Sequence, residues 1–364
     1  MDWSSLEYDE QLDRKVEQFR DIMVPFLGSE RAQPPVDVVR SSPTGYRMRC
    51  EFRVWHEGDR SYYAMNRPGG QQLIEIGLFP AAHAAIQSRM SALLVRVNAD
   101  DEIRRRLFRV EFLTTLGGET LVTLIYHRPL DEAWVEAATQ CASDIDAHIV
   151  GRSRKKRLVV GRDFVTEYLT VEGKTFSYRQ TENSFTQPNA YVNEGMLSWA
   201  TRQAAATGGD LLELYCGNGN FTIPLASHFD KVFATELSKI SIAALEWAKE
   251  DNRAYNIASA RLSAAEMASA LRRDRPFRRL AHVDLDGYDF RTLFVDPPRA
   301  GLDPDTLSMA TAFDHVIYVS CNPASLGENL ATLSQTHDVV SCSAFDQFPF
   351  TPHLECGVVL DRRR

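Results

Sequence analysis

The sequence predicts two domains: a Rossmann-like, doubly wound α/β domain over residues 181–364, preceded by an α+β domain over residues 1–180. Three observations predict this. From about Ser184 onward, short apolar strands alternate with loops and helices, the rhythm of a parallel sheet with helical crossovers. Between Arg40 and about Gln180, by contrast, alternating segments read as antiparallel hairpins separated by helices. The length of 364 residues accommodates two domains of ordinary size.

The first element is an amphipathic helix from about Ser5 to Leu27. Leu12, Val16, Phe19, Met23 and Phe26 recur in it at three- and four-residue spacing. The Pro-rich "RAQPPVDVVRSSPTGY" then reads as a linker. "YRMRCEFRVWHE" and "DRSYYAMNRPGGQQLIEIG" follow as strands joined by a turn at Glu57–Asp59, and "RRLFRVEFLTT" and "ETLVTLIYHRPL" are joined through "LGG". Helices are expected at about Ala81–Val97 and Glu132–Ile149.

No apolar run approaches the length that spans a bilayer, and the acidic, amphipathic N-terminus is unlike a secretory leader. The six cysteines lie far apart without a CxxC pair, so neither a disulfide framework nor a metal or iron–sulfur ligand set is expected. A reducing cytoplasm fits that usage. The net charge of -8 is unevenly spread: Arg40–Arg109 holds 12 Arg against 7 acids, and Ala147–Gln180 holds 8 Lys or Arg against 3. Such clusters on an acidic chain suggest a face for phosphates, set against ordinary charge scatter on a solvated surface.

Four strand ends carry candidate chemistry. In "LLELYCGNGNF", Gly217 and Gly219 let a ligand approach the backbone at a helix N-terminus. The third glycine of a pyrophosphate cradle is missing. "KVFATE" ends the next strand in Glu236, 19 residues after Gly217, placed to hold two ribose hydroxyls. Together they suggest S-adenosylmethionine, with NAD the weaker option. In "LFVDPPRAGL" two prolines hold Asp296 extended at the sheet rim. Asp-Pro-Pro before an aromatic would suggest amino methylation of a base, but Arg299 stands there.

In "IYVSCNPASL", Cys321 follows a strand, with Asn322 suited to cap a helix and Pro323 to open it. A thiol near the positive end of a helix dipole is expected to have a lowered pKa. A thiolate beside a methyl donor has a specific use. Its addition to carbon 6 of uracil makes carbon 5 nucleophilic enough to take a methyl group. A base must then remove the carbon-5 proton before the thiolate leaves. "FTPHLECGVVL" offers Glu355, with His353 nearby.

With these residues assembled, the chain resembles the radical-independent RNA uracil-C5 methyltransferases, and within them the bacterial branch that makes ribothymidine in the T loop of transfer RNA. The matching stretches are "NSFTQPN", "LELYCGNGNF", "DPPRAGL", "SCNP" and "HLECGVVL", in that order. The resemblance implies Cys321 as nucleophile and Glu355 as base, with S-adenosylmethionine bound by Gln187, Tyr215, Gly217, Asn220, Glu236 and Asp296. Asp296 has an alternative as a contact to the uracil edge. Ribosomal RNA members of the family often carry an N-terminal four-cysteine iron–sulfur cluster. This chain has only Cys50 and Cys141 ahead of its catalytic half, so no cluster is expected.

The resemblance further implies tRNA, engaged through its T-arm, as partner, with tmRNA as a second substrate, and the lack of an obvious interface stripe in the sequence sets a monomer as the expectation. The target base must be flipped out of its stack, and aromatic and Arg side chains are the usual replacements for lost stacking. Arg47, Arg49, Phe52, Arg53, Phe108 and Arg109 are the candidates, with Phe108 as the wedge. Two other readings remain open at this level: methylation of 23S rRNA, and a tRNA-refolding protein in which methylation is secondary.

Overall fold

The computed structural model describes residues 3–27, 34–66 and 73–363. It divides into two compact units: Met1–Ser41, Leu169–Tyr178 and Tyr191–Arg364 form one, and Ser42–Tyr168 with Arg179–Ala190 form the other.

The first unit is built on an eight-stranded sheet. In spatial order its strands are Val36–Val39, His337–Phe345, Glu355–Arg362, His315–Ser320, Phe290–Val295, Asp210–Leu214, Val232–Thr235 and Ile257–Ala260. All neighbours run parallel except Glu355–Arg362, which is antiparallel to both strands beside it. The three central strands are buried almost throughout and are mainly apolar, as a sheet covered on both faces requires. Crossover helices join the parallel strands, among them Lys239–Asp251, Ala264–Leu271, Pro304–Ala310 and Pro323–Leu333. This is the doubly wound domain expected from the alternation of elements. Its carboxyl strand ends, Leu214, Thr235, Val295 and Ser320, share one rim, and the antiparallel strand starts there with Glu355.

The N-terminal helix, Tyr8–Met23, belongs to this unit and not to the α+β domain in which the 1–180 boundary placed it. The physical reason is its apolar stripe. Leu12, Val16, Phe19 and Met23 are all at most 5% exposed and share a core with Leu326, Leu330 and Leu333 of the helix after Ser320. The segment read as a linker also contributes: Val36–Val39 adds a parallel edge strand beside His337–Phe345. The residues between, 28–33, lie outside the described residues.

The second unit holds a seven-stranded sheet, ordered Leu73–Glu75, Arg60–Asn66, Arg49–Glu57, Leu107–Thr114, Thr120–Tyr126, His148–Ser153 and Lys156–Val160. Its pairings are antiparallel apart from Thr120–Tyr126 against His148–Ser153. Both expected hairpins form, although the "RPGGQQ" part of the second strand lies outside the described residues. Helices Ala84–Ala99 and Glu132–Ile145 cover one face, with Ile86, Leu93, Trp134 and Ala138 fully buried against Phe112 and Val122. The second helix stops four residues short of the expected Ile149. Asp146 adopts a left-handed conformation there (φ 50°), and His148 opens the parallel strand.

Candidate active site

The strand register brings the nucleophile and base candidates together. His315–Ser320 pairs antiparallel with Glu355–Arg362, the last pair being Ser320 with Cys356. Cys321 follows and Glu355 precedes that last pair, and the Glu355 carboxylate acts on the Cys321 thiol. Asp346–Leu354 connects the two strands of the adjoining hairpin, whose final pair is Phe345 with Glu355.

Local chemistry fixes Cys321 in the turn. Asn322 is the N-cap of the helix Pro323–Leu333, its Oδ1 accepting from Ala324 N, and Pro323 occupies the first turn. Asn322 Nδ2 also donates to the carbonyl of Arg299 at 3.0 Å, tying the turn to the Asp-Pro-Pro-Arg loop. A second tie comes from Asn329 on the same helix, whose Oδ1 accepts from Leu302 N at 2.9 Å and from the Tyr318 hydroxyl at 2.7 Å. Gly301 sits at φ +79°, and a Cβ there would lie 2.6 Å from Asn329 Oδ1, so the loop closes only with glycine.

The expected lowering of the Cys321 pKa is not what this environment gives. Desolvation first, then the carboxylates Glu355 and Asp296, push the thiol up to about 11, while Arg299 opposes them. The helix N-terminus is present, but burial, joined by two acids distant in sequence, raises the thiol instead. The acids themselves are raised. Asp296 is pushed up to about 7 by desolvation. Glu355, 5% exposed, is raised well above the carboxylate range by burial and by Asp296. Arg299 Nη2 lies 3.5 Å from His353 Nδ1, and the His353 pKa is lowered by burial, Arg299 and Lys15.

The neighbouring strand ends carry the glycine turn and Glu236. Tyr215 takes a left-handed φ of 59°, a strained state for a residue with a side chain. Gly217 (φ +56°) and Gly219 (φ +90°) continue the turn, and a Cβ on Gly219 would sit 2.6 Å from Leu245 Cδ1. Glu236 Oε2 accepts from Gly217 N at 3.2 Å and Oε1 from Ser238 N at 2.7 Å, so its carboxylate joins the glycine loop to the next helix. Asn220 exchanges two amide hydrogen bonds with Asn193, at 2.8 and 2.9 Å. Behind the loop lies a residue that the sequence reading missed. Glu213 is 1% exposed, its pKa is raised to about 8 by desolvation, and its Oε2 has no hydrogen-bond partner among the described residues. An orphaned buried carboxylate oxygen suits a ligand with a cationic group, and S-adenosylmethionine carries an ammonium and a sulfonium. Its only sequence signal was an acid among the leucines of the strand Asp210–Leu214.

Gln187 belongs to the second unit, in the loop whose Pro188 carbonyl accepts from Met48 N. Its Oε1 is buried without a partner among the described residues. The RNA candidates of that unit divide. Arg53 is exposed. Phe108 is 37% exposed and stacks on His127 with centroids 4.4 Å apart. Arg109 forms ion pairs with Glu51 and Glu111 at 2.9 and 3.0 Å. Arg47 Nε donates to the Arg49 carbonyl, and Arg49 to the carbonyl of Ser184. Phe52 is a correction: at 1% exposure it packs against Phe79, Tyr63 and Phe112 in the core and presents no face to a base.

Residues 7–363 match the model of the tRNA (Uracil-5-)-methyltransferase family. The chain belongs to that family. The activity that goes with membership is S-adenosylmethionine-dependent methylation of uracil carbon 5 in tRNA. Among curated relatives, the "tRNA/tmRNA (uracil-C(5))-methyltransferase" of Aromatoleum aromaticum is 50% identical over 98% of this chain and 96% of its own length. The protein of that name from Cellvibrio japonicus is 47% identical over 100% of this chain and 98% of its own. Among solved structures, the Pyrococcus abyssi tRNA (uracil-54, C5)-methyltransferase in complex with S-adenosyl-L-homocysteine shares the fold. It has a TM-score of 0.73 at 21% identity, covering 98% of this chain and 84% of the other. Among the described residues no helix is long and apolar enough to cross a membrane.

Proposed function

We propose that the chain methylates carbon 5 of the T-loop uridine of tRNA, position 54 in the name of the Pyrococcus abyssi enzyme, and the matching loop of tmRNA, as its relatives are named. The observation that supports the residue roles is the strand register, whose last pair, Ser320 with Cys356, is flanked by Cys321 and Glu355.

Tyr215, the backbone of Gly217, Asn220, Glu236 and Asp296 would hold the cofactor, with Glu213 behind the glycine loop. When bound, S-adenosylmethionine supplies an electrophilic sulfonium methyl. Cys321, as thiolate, bonds to carbon 6 of uracil, and the electron pair of the 5,6 double bond passes through carbon 5 into the ring carbonyl as an enolate. Carbon 5 would take the methyl as the sulfonium–methyl bond breaks, leaving S-adenosylhomocysteine, and become tetrahedral, still carrying its proton. Glu355 accepts that proton, the 5,6 double bond re-forms, and the carbon–sulfur bond breaks to release Cys321. A base whose pKa is raised by burial is suited to removing a proton from carbon. The exposed Arg53 and Phe108 of the second unit would engage the RNA, and the protein works as a monomer in the cytoplasm.

The test is mass spectrometry of nucleosides from unmodified tRNA and rRNA pools, each incubated with S-adenosylmethionine and either the wild type or Cys321→Ala. The expected result is 5-methyluridine at the T loop with the wild type and none with the variant, which should still bind tRNA. Product in rRNA alone would overturn the substrate. Product from Cys321→Ala would overturn the covalent mechanism.

A further inference from the structure

The connection from Asp346 to Leu354 begins beside Phe345 and ends beside Glu355, residues that pair with each other across the hairpin. Whatever fixes its first residue therefore acts next to the proposed base. Its anchor is the N-terminal helix. Lys15 Nζ donates to Asp346 Oδ1 at 2.7 Å and to the Phe348 carbonyl at 2.9 Å, with both charged side chains fully buried. Gln11 Nε2 donates to Asp346 Oδ2 at 3.2 Å, and Gln11 Oε1 accepts from Phe350 N at 3.3 Å. Phe350 is held in the left-handed region, φ 59°, a conformation that persists only when its surroundings impose it. The far end of the connection reaches the rim, since His353 lies against Arg299.

A buried ion pair is a poor way to dock a helix. Two apolar residues of the same volume usually serve as well or better, because both charges must be stripped of water. This helix already buries Leu12, Val16, Phe19 and Met23. What Lys15 and Gln11 add is direction: four hydrogen bonds that reach Asp346, Phe348 and Phe350 from one helix face.

We propose that Lys15, Gln11 and Asp346 form a positioning latch that holds the 346–354 connection so that Glu355 can reach the carbon-5 proton. The proposal rests on the reading of Glu355 given above. Its consequence is specific to one step. With the latch cut, Cys321 still adds and methyl transfer still occurs, but proton removal slows, so the methylated RNA remains covalently attached to the protein. A purely structural role would instead lower the folded fraction and leave no trapped adduct.

The experiment compares full-length wild type, Glu355→Gln, the double variant Lys15→Met with Asp346→Leu, and Gln11→Leu. The double variant removes both charges together, so neither is left buried alone, and Gln11→Leu keeps the ion pair. Each is incubated with tRNA and S-adenosylmethionine, scored for denaturant-resistant protein–RNA adduct and for turnover, and titrated with S-adenosylhomocysteine. Glu355→Gln should accumulate adduct. The double variant should do likewise, with turnover down about 100-fold, the scale of an ångström of misplacement, and with S-adenosylhomocysteine affinity within about twofold of the wild type, as expected where the cofactor residues are untouched. If the double variant does not fold, Gln11→Leu is judged by the same adduct criterion. Adduct in Glu355→Gln but wild-type behaviour in the folded latch variants overturns the latch. Absence of adduct in Glu355→Gln overturns the base assignment, and the latch falls with it.

Discussion

The raised pKa of Cys321 makes a prediction about the free protein that runs against the usual expectation for a nucleophilic cysteine. Five of the six cysteines are buried, and Cys321 alone is partly open, so a thiol reagent added to the folded protein should report on it. With its pKa pushed up to about 11, roughly one thiol in a thousand is ionised at pH 8, against about one in four for an unperturbed cysteine near 8.5. That is about 240-fold fewer thiolates. A more basic thiolate is also the better nucleophile, with a Brønsted slope of about 0.4–0.5, which returns about 10- to 18-fold over this interval. The net expectation is reaction with an aromatic disulfide about 10- to 25-fold slower than a model peptide thiol at pH 8, before any further loss from restricted access. The rate should climb about tenfold per pH unit beyond pH 9 without a plateau below about pH 10. Arg299→Gln removes the charge that lowers the thiol pKa and should slow the reaction further, and Cys321→Ala should abolish the fast-reacting signal. A plateau below about pH 8.5 would refute the reasoning, because the helix N-terminus would then outweigh burial and the two carboxylates.

Three further outcomes are expected. Gly219→Ala forces a left-handed residue to carry a Cβ 2.6 Å from Leu245, and should weaken S-adenosylhomocysteine binding by about tenfold or more, about 1.4 kcal/mol, measured by calorimetry. Phe108→Ala should raise KM for tRNA about 5- to 150-fold, since one base–aromatic stack contributes about 1–3 kcal/mol, without changing cofactor affinity. An unchanged KM would remove Phe108 as the wedge. Phe19→Ala empties a fully buried position in the catalytic unit and should cost about 3–5 kcal/mol in denaturant unfolding, although the residue belongs to a helix far in sequence from the site.

The rim of the catalytic sheet was legible because its signals are local. An apolar run, a turn of small residues and a helix cap follow one another in "IYVSCNPASL", and the structure ends the strand at Ser320 and caps the helix with Asn322. The N-terminal helix was legible as a helix but not as part of the catalytic unit, since periodicity states that a face is apolar and not what covers it. The strand Val36–Val39 stood hidden behind Pro34 and Pro35, because its pairing partner lies some three hundred residues away in the chain. Phe52 was misread although the signal was present: Cys50, Phe52 and Val54 alternate with Arg49, Glu51 and Arg53, so parity alone assigned it to the covered face. The Cys321 pKa was out of reach. Its determinants, burial first and then Glu355 and Asp296, arise only through strand order and register.

That meeting gives the proposed roles an order in time. Glu355, as carboxylate, raises the pKa of Cys321. The thiolate that forms beside it is strongly basic, which favours attack on the weakly electrophilic carbon 6 but makes sulfur a poor leaving group. When Glu355 takes the carbon-5 proton it becomes neutral, and its contribution to the thiol pKa disappears. Sulfur is thus a better leaving group at the moment when the carbon–sulfur bond must break. Replacing Glu355 by Gln removes both halves of that sequence: no base takes the proton, and no change in charge follows at the sulfur. Glu355→Asp, by contrast, keeps the charge and shortens the reach, so it should slow proton removal while leaving release of the thiolate intact once the proton has gone. Single-turnover kinetics separate the two cases. For Glu355→Asp the decay of the adduct should still yield 5-methyluridine quantitatively, only later, whereas for Glu355→Gln the adduct should persist. Rapid, complete decay of the Glu355→Gln adduct would show that another group takes the proton, and the charge coupling at this rim would then have no part in releasing the product.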